Sequence, residues 1–142
     1  MSAVLYTPEV LALATGLAGY RLDETLPLRG EARSRSCGST LTLGMRLDDQ
    51  DQVAQVGIRS QACAIGQASA AIFAQAAVGR SADDIRATAE AVADWLNGEG
   101  TMPAWPGFPV IATVRDYPGR YGALLLPWTA ALQLLCTRAA AS

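Results

Sequence analysis

A two-residue alternation of apolar and polar side chains runs through residues 40–47 and again through residues 53–62. The apolar positions are Leu41, Leu43, Met45 and Leu47 in the first run, and Ala54, Val56 and Ile58 in the second. This period predicts two half-buried strands. The acidic stretch Asp48–Asp51 between them predicts a turn, so we expect an antiparallel hairpin. The charged run at residues 30–36 predicts a third strand at the edge of the sheet.

Helical spacing predicts four helices around these strands. The first runs over residues 8–19, with Thr7 as N-cap and Pro8 in its first turn. The second covers residues 63–78 and places Ile65, Ala68, Ile72 and Ala76 on one face. The third follows a capping box formed by Ser81 and Asp84, buries Ile85, Ala89, Val92 and Leu96, and ends at Gly98.

The last helix is expected from Tyr117 towards Ala139, capped by Asp116 and interrupted by Pro127. A helix, three strands and then further helices define an α+β fold, in which a three-stranded antiparallel sheet packs against several helices. We expect one domain spanning residues 1–142.

Composition narrows the classes of function. Hydrophobic residues make up 51% of the 142 residues, and the formal net charge is -2. The absence of a basic excess argues against nucleic-acid binding. The chain contains neither histidine nor lysine, so the commonest general base is missing. The commonest neutral metal ligand, the histidine imidazole, is missing as well.

Three cysteines without regular spacing argue against a disulfide framework and favour a reducing compartment. No signal peptide is evident, and the apolar run from Ala123 is too short and too interrupted to span a bilayer. The sequence predicts a cytoplasmic protein without a membrane anchor.

Cys37 and Cys63 are the candidate chemical residues. Cys37 precedes Gly38 at the predicted turn into the long strand, and Cys63 lies where the last strand meets a helix, whose N-terminus favours a thiolate. In a three-stranded meander these two places lie at the same end of the sheet, so we expect the thiols to be neighbours. Two such thiols form half of a soft-metal site. For Cys136, between Leu135 and later alanines, we expect an inert buried thiol.

The stretch from "SCGSTLTLGMRLDD" through "SQACAIGQASAAIF" to "VRDYPGRYGALLLPWTAAL" resembles the NifU/IscU-type iron–sulfur cluster assembly scaffolds. The resemblance extends over nearly the whole chain from about Arg29. It implies a SufE/IscU-like fold and a protein that holds iron or a nascent iron–sulfur cluster, or a zinc ion. It also implies a cysteine desulfurase and cluster-accepting proteins as partners.

Carried over residue by residue, the resemblance makes Cys37 and Cys63 the metal and cluster ligands. Ser39 stands where the family has an aspartate, Gly122 where it has a basic residue, and Ala123 where it has the third cysteine. The ligand set implied for one chain is therefore incomplete. With the resemblance to scaffold proteins, this leads us to expect a protein that is degenerate at its site and is not an enzyme in its own right.

Three functions remain open at this point. Two copies of the chain could each contribute Cys37 and Cys63 to one cluster, as a homodimer. One of the two cysteines could instead carry a persulfide, as in the related SufE-type sulfur acceptors. Alternatively, the chain could bind partners without metal chemistry.

Two further sets of residues allow simpler interpretations. Arg29, Arg33 and Arg35 could form a docking surface for an acidic partner such as the desulfurase, or could simply be a solvated edge strand. Trp95, Trp105 and Trp128 are expected in the core or packed under loops.

Overall fold

The computed structural model describes residues 5–35 and 38–141. It contains four α-helices and three strands among these residues, in the order α1 (Pro8–Gly16), β1 (Leu28–Arg33), β2 (Thr40–Leu47), β3 (Val53–Gln61), α2 (Ala64–Ala77), α3 (Ala82–Leu96) and α4 (Tyr121–Ala141). Short 3-10 helices follow α1 at Leu17–Gly19 and precede α4 at Phe108–Asp116 and Pro118–Arg120. The predicted α+β fold class is confirmed.

The sheet is antiparallel with the strand order β1-β2-β3. Its register aligns Arg33 of β1 with Thr40 of β2, and Thr40 in turn with Gln61 of β3. The end of β1, the start of β2 and the end of β3 therefore meet at one end of the sheet, as the meander predicted.

A β-bulge changes which residues at the start of β3 are buried, compared with the predicted alternation. Leu47 pairs with Val53 and Arg46 pairs with Gln55, which leaves Ala54 as an extra residue. Because an extra residue shifts the alternation by one position, Val53 is buried and Ala54 is exposed. The predicted inward position of Ala54 was wrong.

Helix α2 is buried on more than the one face that its spacing predicted. It packs against α1, α4 and β3, so Ala70, Ala71, Phe73 and Ala74 are buried as well. A helix enclosed on several sides has little solvent-facing surface to keep polar, and Gln75 is its one exposed residue. This burial explains its run of small apolar residues.

Local capping signals are confirmed at two helices. The Thr7 hydroxyl accepts a hydrogen bond from the Val10 amide at 3.1 Å. The Ser81 hydroxyl accepts one from the Asp84 amide at 3.0 Å. The Asp84 carboxylate pairs with the Arg80 guanidinium at 3.0 Å, so this residue supports the helix start by an ion pair.

Helix α4 begins later than predicted, at Tyr121 instead of Tyr117. The residues from Pro118 to Arg120 form a tighter 3-10 turn, which is a common way to enter an α-helix. The Tyr121 hydroxyl donates to the Arg115 carbonyl and ties this turn to the preceding 3-10 segment. Pro127 lies within α4, as predicted.

The three tryptophans are buried, as predicted. The Trp105 indole donates a hydrogen bond to the Ile72 carbonyl at 2.8 Å, which fastens the irregular loop before α4 to α2. Among the described residues, no helix combines the length and apolar character needed to cross a membrane.

The segment between α1 and β1 is not a solvated loop. Leu22 and Leu26 pack over Gly44 and Gly57, where a Cβ atom would come within 3.0 Å of their atoms. The Ile58 amide also donates to the Tyr20 carbonyl at 2.7 Å. This segment therefore covers part of the sheet face opposite α4 and part of the outer edge of β3.

Candidate functional site

Cys63 is the N-cap residue of α2, two positions after β3 ends at Gln61. Its backbone is extended, with φ -67° and ψ 172°, and its carbonyl accepts the Gln67 amide at 3.0 Å. The thiol is half-buried and not in a disulfide. The strand-to-helix junction thus places a partly accessible thiol beside the first turn of α2.

The side chain of Gln67 holds the turn that presents Cys63. Its amide nitrogen Nε2 donates to the Ala62 carbonyl at 2.9 Å. Ala62 is the last residue before the cysteine, so this bond restrains the chain where it leaves the strand. The sequence pattern did not predict this role of Gln67, although a polar residue among the small apolar residues of α2 is a signal for it.

Cys37, the second predicted ligand, lies outside the described residues. The residues around it close the β1–β2 connection: the Ser34 amide donates to the Ser39 carbonyl at 2.8 Å, and the Gly38 amide donates to the Ser34 carbonyl at 2.9 Å. Gly38 has a positive φ of 71°, a backbone conformation that glycine adopts without strain. Both described ends of this connection lie at the sheet end beside Cys63.

The residues at the other family positions carry no side-chain donor suited to iron. Ser39 is buried. Ala123 lies in the first turn of α4 and is fully buried. A Cβ atom placed on Gly66 would lie 3.5 Å from the Ala123 carbonyl oxygen, so the first turns of α2 and α4 are in close contact. Position 123 therefore belongs to the same end of the molecule as Cys63.

A buried hydrogen-bond chain joins these two helices. The Ser69 hydroxyl donates to the Leu124 carbonyl at 2.6 Å and accepts from the Trp128 indole at 3.3 Å. All three residues are buried, and a buried hydroxyl needs such partners. Ser69 was not predicted, because its partner Leu124 lies 55 positions away in the sequence.

The prediction that Cys136 is a buried thiol was wrong. Cys136 is exposed on α4 and is not in a disulfide. The helical face that packs inward carries Leu134 and Leu135 instead. In the described part of the chain, no group of three or more histidine, cysteine or acidic residues could hold a metal ion.

The predicted basic residues of the β1 region, Arg29, Arg33 and Arg35, are exposed. Arg29 donates to the Asp23 carbonyl at 3.3 Å. The edge of β1 is covered at Glu31, whose amide donates to the Gln133 side chain at 2.7 Å. Charge and a covering side chain both protect an edge strand from pairing with another chain.

Comparisons with known proteins agree with this architecture. The sequence profile described as NifU-like N terminal domain matches residues 18–107. A crystal structure of a nitrogen-fixing NifU-like protein (N-terminal) from Brucella abortus is 27% identical with a TM-score of 0.84, over 97% of this chain and 96% of that chain. No curated protein sequence matches the chain.

Two more distant structures share the fold. One is a candidate iron–sulfur cluster assembly scaffold protein for the SUF system from Fervidobacterium islandicum, which is 24% identical with a TM-score of 0.78 over 92% of this chain and 96% of that chain. The other is a hypothetical protein, 18% identical with a TM-score of 0.63 over 87% of this chain and 93% of that chain. The profile match covers more than half of the 142 residues, and the chain therefore belongs to the NifU-like N terminal domain family.

Proposed function

We propose that this protein acts in iron–sulfur cluster assembly as a scaffold, holding iron or a nascent cluster through Cys37 and Cys63. The observation that carries the proposal is the position of Cys63 at the N-cap of α2. Cys63 follows the end of β3, where Gln61 pairs with Thr40 of β2. Thr40 lies three residues after Cys37 in the sequence. The cluster is the cargo of such a protein, so no catalytic residue is required.

Thiolate sulfur is the ligand that iron–sulfur clusters use, and four protein ligands is the usual number. One chain offers Cys37 and Cys63 for this purpose, and Ser39, Gly122 and Ala123 add no thiolate. A homodimer in which each copy contributes both cysteines supplies four. We therefore propose one cluster for every two chains, with a cysteine desulfurase as the sulfur source and cluster-accepting proteins as recipients.

Anaerobic reconstitution with ferrous iron and sulfide tests this proposal. The wild-type protein is expected to gain visible absorption and about one cluster per dimer, and Cys37→Ser and Cys63→Ser should each abolish both. Cys136→Ser is the matched control, because its thiol is exposed on α4 and lies outside the proposed site. Iron and sulfide analysis with sedimentation gives the stoichiometry.

Two outcomes contradict the scaffold. Loss of loading in Cys136→Ser alone would mean that iron binds at the surface thiol. If the wild-type protein takes up no iron or cluster, but its mass increases by one sulfur after incubation with a desulfurase, the protein is a persulfide carrier. In that reaction the cysteine thiolate attacks the terminal sulfur of the desulfurase persulfide, and the desulfurase cysteine leaves as a thiolate.

Ala123→Cys tests the dimer-bridging stoichiometry. Position 123 lies in the first turn of α4, against the first turn of α2 that Cys63 caps. A third thiolate there should let one chain hold a cluster with fewer ligands from a second copy. The number of clusters per chain should therefore rise from one per two chains towards one per chain. Ala130→Cys, also buried in α4 but farther along the helix, is the control. An unchanged ratio in Ala123→Cys would contradict the bridging arrangement.

A further inference from the structure

A groove of about 490 Å³ lies between the end of α1 and the outer edge of β3. Its apolar wall is formed by Ala14, Leu17 and Ala18, and its other side by Ile58, Arg59 and Ser60. The groove is distinct from the proposed cluster site, although it extends to Gln67. Nothing in the scaffold function uses its wall or its charges.

The edge of β3 changes partner along its length. At Ile58 the amide points away from β2 and donates to the Tyr20 carbonyl at 2.7 Å. Because hydrogen-bonding groups alternate in an antiparallel strand, the amide and carbonyl of Ser60 point outward as well. The segment that bonds Ile58 then leaves the edge of β3, because Leu22 lies over Gly57 on the face of the sheet. The edge of β3 at Ser60 therefore opens into the groove. A sheet edge of this kind is a template for another strand.

The charge of the groove is positive. Arg21 and Arg59 both line it and both are exposed. Neither forms a salt bridge with any acidic residue that the structure describes. The acidic residue nearest in sequence, Asp23, accepts the Thr25 amide at 2.8 Å. Hydrogen bonds from Thr25 and the charges of Arg46 and Arg29 lower the pKa of Asp23, so its carboxylate is engaged away from the groove.

We propose that this groove binds an extended acidic segment of a partner protein, which adds to the edge of β3 as a fourth strand. The outward amide and carbonyl of Ser60 supply main-chain hydrogen bonds, as in other complexes formed by strand addition. Apolar side chains on one face of the segment meet Leu17 and its neighbours. Acidic side chains on the alternate positions meet the two arginines, so the segment recognised is one in which acidic and apolar residues alternate.

One end of the groove lies next to the proposed cluster site without including its cysteines. Gln67 lines one end of the groove, and its side chain holds the Ala62 carbonyl in the turn before Cys63. A segment bound here lies beside the residue that restrains this turn. Partner docking and cargo handling would then occur at neighbouring surfaces.

The test uses a fluorescein-labelled peptide in which aspartate and valine alternate, with a lysine–valine peptide as control. We expect saturable binding of the acidic peptide by fluorescence anisotropy, weakened by added salt, and slower hydrogen exchange at the Ser60 amide. Arg21→Gln and Arg59→Gln should each weaken binding about threefold, as for an exposed ion pair. Arg33→Gln is the matched control, since Arg33 is an exposed arginine on the opposite edge strand.

Ser60→Pro removes the outward amide while leaving the bonds to β2 in place, a substitution that sheet edges accept. It should weaken binding at least as much as either arginine variant, and the arginine variants test the groove even if this variant folds poorly. An equal loss of peptide affinity in Arg33→Gln and Arg59→Gln would overturn the proposal, because it would indicate that the peptide is attracted by the overall charge of the surface and not by this groove. An unchanged rate of hydrogen exchange at the Ser60 amide when the peptide binds would also overturn the proposal. Self-association abolished by Arg59→Gln would identify a second copy as the occupant, against the proposal.

Discussion

Replacing Trp128 with alanine is expected to lower the free energy of unfolding by about 4 kcal/mol, a typical cost for removing a large buried side chain. Trp128 is fully buried. Its ring meets Phe73 edge-on at a centroid distance of 5.2 Å and Trp105 at 5.0 Å. Alanine would leave a cavity at the centre of the aromatic cluster that joins α2, α4 and the loop between α3 and α4.

The indole nitrogen gives this prediction an internal control. Trp128 donates to the Ser69 hydroxyl, which in turn donates to the Leu124 carbonyl. Trp128→Phe keeps most of the ring packing and loses the donor, so it should cost only about 1–2 kcal/mol. Urea unfolding followed by fluorescence of the remaining tryptophans measures both variants. A cost below about 1 kcal/mol for alanine would show that the cluster does not stabilise the core.

Gly30→Ala should lower the free energy of unfolding by about 3 kcal/mol or more, at the upper end of overpacking. A Cβ atom on Gly30 would lie 2.2 Å from the Ala130 carbonyl oxygen and 2.9 Å from the Leu134 Cβ atom. The first of these is a backbone atom of α4, so it cannot move aside as a flexible side chain can. Either β1 or α4 must shift, and β1 leads into the connection that contains Cys37.

Gly16→Ala is the matched control. Gly16 is helical, with φ -66° and ψ -16°, and no atom lies within 4 Å of the place where its Cβ would stand. The same substitution there should stabilise the protein by about 0.5 kcal/mol, because alanine restricts the unfolded chain. Thermal and denaturant unfolding of the two variants should give opposite signs. A loss at Gly16 equal to that at Gly30 would contradict the steric explanation.

The sequence by itself determined the features that depend on near neighbours. Alternating side chains placed β2 at Thr40–Leu47, and the hydroxyls of Thr7 and Ser81 cap helices as predicted. These features depend on atoms a few residues apart, so their signals are local. The end of the sheet at which Cys63 lies was also predictable, because a meander of three strands has only one arrangement of its ends.

Tertiary structure decided the features that depend on distant partners. The pairing of β3 with β2 set the bulge that exposes Ala54. The face of α4 that packs inward left Cys136 exposed, although both neighbouring leucines suggested burial. Ser69 finds its acceptor 55 residues away, and the groove exists because α1 lies beside the edge of β3. Each depends on which surfaces of separate elements meet, and periodicity within one element does not contain that information.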